Sequence, residues 1–260
     1  MIEPAEIDHQ ELGGAVRPTG SLGLEVIRGD GRHEFAQLVP GQPEPCLTAV
    51  PGRHLSLREV ARYGGPQRGL PDEVNEWRER NFPRVLRQAV MVGAAVRFAR
   101  LAGVMTAYGR LSLAVIRGDE RRVLDYGIAS FRLVTTAGVG FLTDALQNLV
   151  EPEIFDFHGI GTTNTAEASG DTALAAEITT AYNPDNTRAT GTPSEPSANV
   201  YRSVGTNTVD ATVAAVEHGL LTQAATGGGT LLDRSVFSVI NLASGDGLQS
   251  TYDFTQAAGG

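Results

Sequence analysis

Reactive chemistry would first be sought at the five histidines: His9, His33, His54, His158 and His218. None falls into a His-x-His, His-x3-His or Cys/His spacing that suits zinc. His158 and His218 each precede a glycine, in Phe157-His158-Gly159 and Glu217-His218-Gly219, at positions that read as strand ends. They can meet in space, and the reading we favour is a pair of imidazoles capping turns. A deep cleft joining them to a carboxylate would instead be an acid–base centre. Cys46 is the single cysteine, set among Pro43, Pro45 and Pro51, so no intramolecular disulfide is possible and a structural thiol is expected.

Other chemical motifs give way to turn chemistry. Asn183, Asp185, Asn186 and Asp246 offer oxygens that calcium would accept, but the ligand spacing of an EF-hand is absent and Asx-turns account for them. Gly159-Ile-Gly161 resembles part of a dinucleotide fingerprint without its βαβ unit or its third glycine. Arg-Gly-Asp occurs twice, at 28–30 and 117–119, where Gly-Asp is good turn chemistry. No nucleophile elbow and no paired carboxylates stand out. The residues therefore nominate no catalytic, cofactor-binding or metal site, and the chain is expected not to be an enzyme.

Composition sharpens this. All 21 basic residues are arginine, so a P-loop and Schiff-base chemistry, which need lysine, are excluded. Residues 1–122 carry 17 arginines against 15 acids, whereas 123–260 carry 4 against 15, a net of −11. Phosphate would be repelled by the second half, and the first half alternates its signs, as in Glu76-Trp77-Arg78-Glu79-Arg80. No nucleic-acid partner is expected. Arginines bracket the most apolar window, Ala89–Val96, which is too short to span a membrane, and no secretory signal opens the chain. No membrane partner is expected either.

The elements that must position these residues divide the chain in three. Residues 1–21 read as an arm. Residues 22–107 hold a hairpin (22–39), a Pro/Gly-rich loop with a short helix at 55–63, and helices from Pro71 onward. Pro83 is expected to break or kink the helical run before a second helix, 84–102. Val85, Leu86, Ala89, Val92, Gly93, Val96 and Ala99 form one apolar face, which must pack on the β part or on a neighbouring subunit. Residues 108–260 are strand-like: 111–117, 123–134, 154–161, 199–209, 212–221, 231–242 and 248–255, with one helix near 138–148. The fold class expected is mainly β with an α-helical N-terminal insertion, the C-terminal half an antiparallel β-sandwich or jelly roll. Leu22–His33 and Leu111–Arg122 agree at eight of twelve positions. That is either a duplicated hairpin, its copies lying in one sheet, or a coincidence over a short window.

A family pattern runs through the second half. It comprises Phe157-His-Gly-Ile-Gly-Thr-Thr163, Asp171-Thr-Ala-Leu-Ala-Ala-Glu177 and Arg188-Ala-Thr-Gly-Thr192, then Tyr201-Arg-Ser-Val-Gly-Thr-Asn-Thr208. Val216-Glu-His-Gly-Leu220, Leu231-Leu-Asp-Arg-Ser-Val-Phe237 and Gly245-Asp-Gly-Leu-Gln249 complete it. Over residues 125–258 the chain resembles a group of tailed-bacteriophage virion proteins described as structural, decoration or tail-associated. The resemblance implies a virion protein assembled in the host cytoplasm, a homo-oligomer whose partners are its own copies and the major capsid protein or other virion proteins. A capsid decoration (cement) protein is the first expectation, and a tail, baseplate or fibre component the alternative. A glycan-binding or hydrolytic sandwich at the host surface is weaker, because Trp77 is the only tryptophan and falls in a helix.

Overall fold

The computed structural model describes residues 57–118, 122–151 and 154–258, and the backbone of two further strands, β1 (Gly23–Ile27) and β2 (His33–Gln37). Contacts divide the chain into two compact units, 1–47 and 48–260. In the first, β1 and β2 pair antiparallel as a two-stranded sheet, with Ile27 opposite His33. The hairpin expected over 22–39 is therefore present. The arm at 1–21, Cys46, His9, His54 and the first Arg-Gly-Asp lie outside the described residues.

The second unit opens with α1 (Leu57–Gly64) and α2 (Asp72–Ala102). Between them Asn75 ties down the loop: its side chain accepts from the Gln67 N–H and donates to the Gln67 and Leu70 carbonyls. Asp72 and Glu73 occupy the first turn, where the helix dipole favours acids, and Gly103 at φ 67° closes the other end in the left-handed conformation. Pro83 does not break the helix, contrary to the sequence expectation. One proline removes one N–H donor. Packing holds both flanks, since Asn81, Val85 and Ala89 are buried.

Ten strands follow: β3 (Thr106–Arg117), β4 (Arg122–Leu133), β5 (Phe157–Gly161), β6 (Tyr182–Asn183), β7 (Ala189–Thr190), β8 (Thr192–Ser197), β9 (Val200–Val209), β10 (Val213–Leu221), β11 (Leu231–Leu242) and β12 (Gly247–Ala257). A helix, α3 (Thr136–Leu146), lies between β4 and β5. One sheet runs β4-β3-β12-β9-β6, with β8 also on β9, and the other runs β11-β10-β5-β7. Every pairing is antiparallel. Leu111, Leu113, Val115 and Leu248 from the first sheet share a buried cluster with Ile160, Ala215, Phe237 and Ile240 from the second. This is the β-sandwich the alternation required.

The two copies of the sequence repeat fall in different sheets: the described residues of the first lie in the β1-β2 pair, and those of the second in β3 and at the start of β4. Gly127 sits beside a bulge in β4 at φ 71°, and a Cβ there would lie 2.1 Å from the Tyr63 carbonyl. Only glycine lets the α1 end approach this closely. The apolar face foreseen on α2 packs on the strands: Val85, Ala89, Val92 and Val96 join Ile128, Phe131 and Tyr108.

Candidate functional site

The register brings the two histidines together. Ile160 pairs with His218 and Leu220 with His158 across β5 and β10, so the imidazoles are diagonal neighbours on the inner face. His158 Nδ1 lies 2.9 Å from His218 Nε2, and His158 Nε2 lies 2.9 Å from Ser203 Oγ of the facing sheet. The Tyr252 ring stacks on His218 at 6.4 Å between centroids. A Cβ at Gly205 would stand 2.5 Å from His158 Cδ2, so the glycine makes room for the ring. The turn-capping role expected for the pair is thus corrected: both rings lie mid-sandwich, because their strand positions alternate with outward-facing Gly159, Glu217 and Gly219.

Burial decides what these groups can do. His158, His218 and Ser203 are each 0% exposed. Burial pushes the His158 imidazolium down to about 3, and burial together with the neighbouring ring holds His218 well below its ordinary value, so both are neutral. His218 Nδ1 has no hydrogen-bond partner. An unpaired lone pair is tolerated better than an unpaired N–H. That favours the tautomer in which His218 donates to His158 and His158 donates to Ser203. Ser203 Oγ is then an acceptor, the reverse of an activated nucleophile. A sealed Ser–His contact with the proton on the imidazole offers a substrate neither access nor a base.

Asp233, on β11, is the interior carboxyl. It accepts from Ser235 Oγ at 2.9 Å, and burial pushes it up to about 7. Glu217, Glu177 and Asp253 are each paired with arginine. On the outer face of the second sheet, Glu217 accepts from Arg234 Nε (2.6 Å) and from the Ala175 and Ala176 N–H groups, while Arg234 reaches Asp171 and the Thr165 carbonyl. Glu177 takes Arg188 in a two-pronged contact, and Arg188 also donates to the Gln223 and Gly228 carbonyls. These two arginines clamp the irregular segment 162–181 onto the sheet, with Leu174 packed against Gly159 and Gly219. On the other sheet, Asp253 lies between Arg110 of β3 and Arg202 of β9, its cross-strand partners on either side. Burial alone would raise Asp253, but the two guanidiniums hold it below the ordinary carboxylate range.

The remaining sequence candidates are occupied by structural duties. Asp246 accepts from Arg117 (2.6 Å) and from the Gly118 and Ala243 N–H groups. Arg117, from the second Arg-Gly-Asp, also bonds Glu73, so it is held against the body. Asn186 adopts φ 53° in the turn after β6, its N–H on the Tyr182 carbonyl. Gly227 and Gly229 take positive φ between β10 and β11. Trp77 is 1% exposed and donates from Nε1 to the Ser238 carbonyl. Among the described residues no group of three or more His, Cys, Asp and Glu could hold a metal ion, and no helix is long and apolar enough to cross a membrane.

Sequence reasoning missed Ser203, the Glu217–Arg234 and Glu177–Arg188 clamps and the Arg110–Asp253–Arg202 row. Their signal was present: Asp233-Arg234 and Arg202-Ser203 are polar pairs inside apolar strands, and buried charge must be paired. No family model, no curated protein and no solved structure matches the chain.

Proposed function

We propose that this chain is a non-enzymatic structural subunit of a tailed-bacteriophage particle, most specifically a capsid decoration protein that stabilises the head by contacts with the major capsid protein and with its own symmetry mates. The observation that carries the non-enzymatic part is the enclosure of Ser203, His158 and His218, the one such grouping of catalytic atom types among the described residues, at 0% exposure. The particle assignment rests on the ordered resemblance over 125–258, whose segments fall on β5, on the clamped 162–181 segment and on β7 to β12. Interior charges spent on holding a long surface segment in place suit a subunit that must keep its shape in a lattice.

The test is quantitative mass spectrometry of purified particles from the phage that encodes the chain, with labelling by electron microscopy. Hundreds of copies on the head support decoration. A dozen or fewer at the tail overturn decoration in favour of a tail or baseplate role, and absence from particles overturns the whole reading. Heads stripped of the protein should lose heat resistance; if they withstand heating as well as complete heads, the cementing role is wrong.

A further inference from the structure

Two exposed apolar groups lie at one end of the sandwich. Tyr108, near the start of β3, pairs with Leu133, the last residue of β4. The residues just before β3 and just after β4 therefore emerge at the same end. Before β3 come the C-terminal part of α2, where Met91, Phe98 and Leu101 are 71%, 73% and 90% exposed, and the short link after it, where Met105 is 69% exposed. Met91, Phe98 and Leu101, at i, i+7 and i+10, draw a second apolar stripe on a helix whose first stripe is already buried against β4, and Met105 follows just past the Gly103 cap. After β4 comes α3 and its following turn, where Val139, Leu146 and Leu149 are 50%, 91% and 67% exposed.

Charge separates the two groups. Arg97 and Arg100 flank Phe98 and Leu101 and are exposed; Asp144 and Glu151 flank Leu146 and Leu149 and are exposed. None of the four has an ion-pair partner among the described residues. All four arginines of residues 123–260 are already engaged, Arg132 with Glu167, Arg188 with Glu177, Arg202 with Asp253 and Arg234 with Glu217. No arginine of that half is left for Asp144 and Glu151.

We infer that this end of the molecule binds a second copy of the same chain, α2 of each copy lying against α3 of the other about a two-fold axis. Because both patches are at one end, a single axis makes two identical contacts, each a basic apolar stripe on an acidic apolar one. The seven apolar side chains present on the order of 1,000 Å2, taking about 200 Å2 for a fully free large side chain. Summed over both groups, that is comparable with the ~800 Å2 each partner gives to a stable interface. The contact supplies the homotypic surface that the particle-subunit reading requires, and its purpose rests on that reading.

Sedimentation equilibrium of the full chain tests it, with two charge-reversed variants, R97E/R100E and D144R/E151R. The wild type is expected to be a dimer. Each variant alone places like charges opposite one another at both contacts, and its dissociation constant should rise ~100-fold or more. Mixing the two restores opposite signs at both contacts and should yield a one-to-one heterodimer, while the circular dichroism of each variant stays native and its Tm falls below that of the wild type only by the lost association, a gap that closes on dilution. A monomeric wild type overturns the inference. So does a variant that still dimerises, a mixture that does not assemble, or flotation of the wild type with anionic phosphatidylserine vesicles in place of self-association. A drop in Tm on charge reversal in a monomer would mean that another segment of the same chain covers the stripe, and would overturn it too. Particle mass spectrometry is independent: a chain that dimerises yet is absent from virions sinks only the particle reading.

Discussion

His158 Nδ1 and His218 Nε2 stand 2.9 Å apart inside the sandwich, each ring fully enclosed. Two neutral imidazoles and one carboxyl that burial pushes up to about 7, Asp233, thus share the interior. Their titration sets how stability follows pH. The histidines are depressed, so the unfolded chain binds their protons below about pH 6.5 and the folded chain does not; stability falls as pH drops. Asp233, pushed up to about 7, acts oppositely: the folded chain holds a proton that the unfolded chain has lost above pH ~4. Between pH ~5 and ~6.5 the balance is two protons against one, so stability should fall by about 1.4 kcal/mol per pH unit on acidification. Asp233→Asn removes the opposing proton and should roughly double that slope. Urea unfolding at pH 5.0, 5.8, 6.5 and 8.0 checks this. A flat wild-type profile, or an unchanged slope in the variant, would show that these groups do not titrate as their burial requires.

The Arg234–Glu217 clamp yields a second expectation. Glu217 is 0% exposed, and its carboxylate is stabilised by one guanidinium and two backbone N–H groups. Arg234→Leu strands that charge, which should cost about 3–5 kcal/mol and release segment 162–181. Arg234→Leu with Glu217→Leu removes both charges and should recover most of the loss. Denaturant midpoints and proteolysis within 162–181 read both effects; a double variant no better than the single one would mean the clamp holds the segment by shape rather than charge.

Gly205 allows a sharper steric test. Its missing Cβ would sit 2.5 Å from His158 Cδ2, and His158 is fixed by His218 and Ser203. Gly205→Ala should destabilise by about 1–3 kcal/mol through overpacking. Pairing it with His158→Ala, which opens that space, should make the glycine change nearly neutral. A Gly205→Ala protein with wild-type stability would mean the ring has room to move.

The strands were legible because alternation and turn residues agree. Leu248 to Phe254 alternate between core and outer face, and Ser244-Gly-Asp-Gly247 marks the preceding turn, so β12 falls within two residues of expectation at each end. The short strands β6, β7 and β8 were not legible, since two residues carry no period and Pro193 and Pro196 mask the third. The continuity of α2 through Pro83 was also hidden, because propensity does not know that Asn81 and Val85 are held by strands far away in sequence. The histidines were singled out, but their meeting inside the core depends on the β5–β10 register, which no local pattern encodes. The arginine clamps were hidden for the same reason: Arg234 and Asp171 are 63 residues apart.

Asn81 carries the last expectation. The two sheets end side by side at β4 and β11, and edge strands leave backbone groups without ladder partners. Asn81 serves both edges: Nδ2 donates to the Ala129 carbonyl of β4 at 2.9 Å, and Oδ1 accepts from the Ser238 N–H of β11 at 3.0 Å. One turn earlier Trp77 Nε1 donates to the Ser238 carbonyl at 2.6 Å, so one residue of β11, Ser238, is held through both its backbone polar groups. Asn81→Leu keeps the volume and removes both bonds, leaving a buried carbonyl and an N–H unsatisfied at about 1–3 kcal/mol each. Asn81→Asp retains the acceptor but loses the donor toward Ala129 and buries a carboxylate, so it should be at least as damaging. The loss has a built-in reporter. Trp77, the only tryptophan, is packed edge-on against Tyr126 at 5.1 Å and shielded from water. If α2 seals the seam through Asn81, either variant should shift Trp77 emission to longer wavelength at denaturant concentrations where the far-ultraviolet circular dichroism of the strands is still native. Emission and circular dichroism that change together, at the wild-type midpoint, would mean the helix is held by its apolar stripe alone.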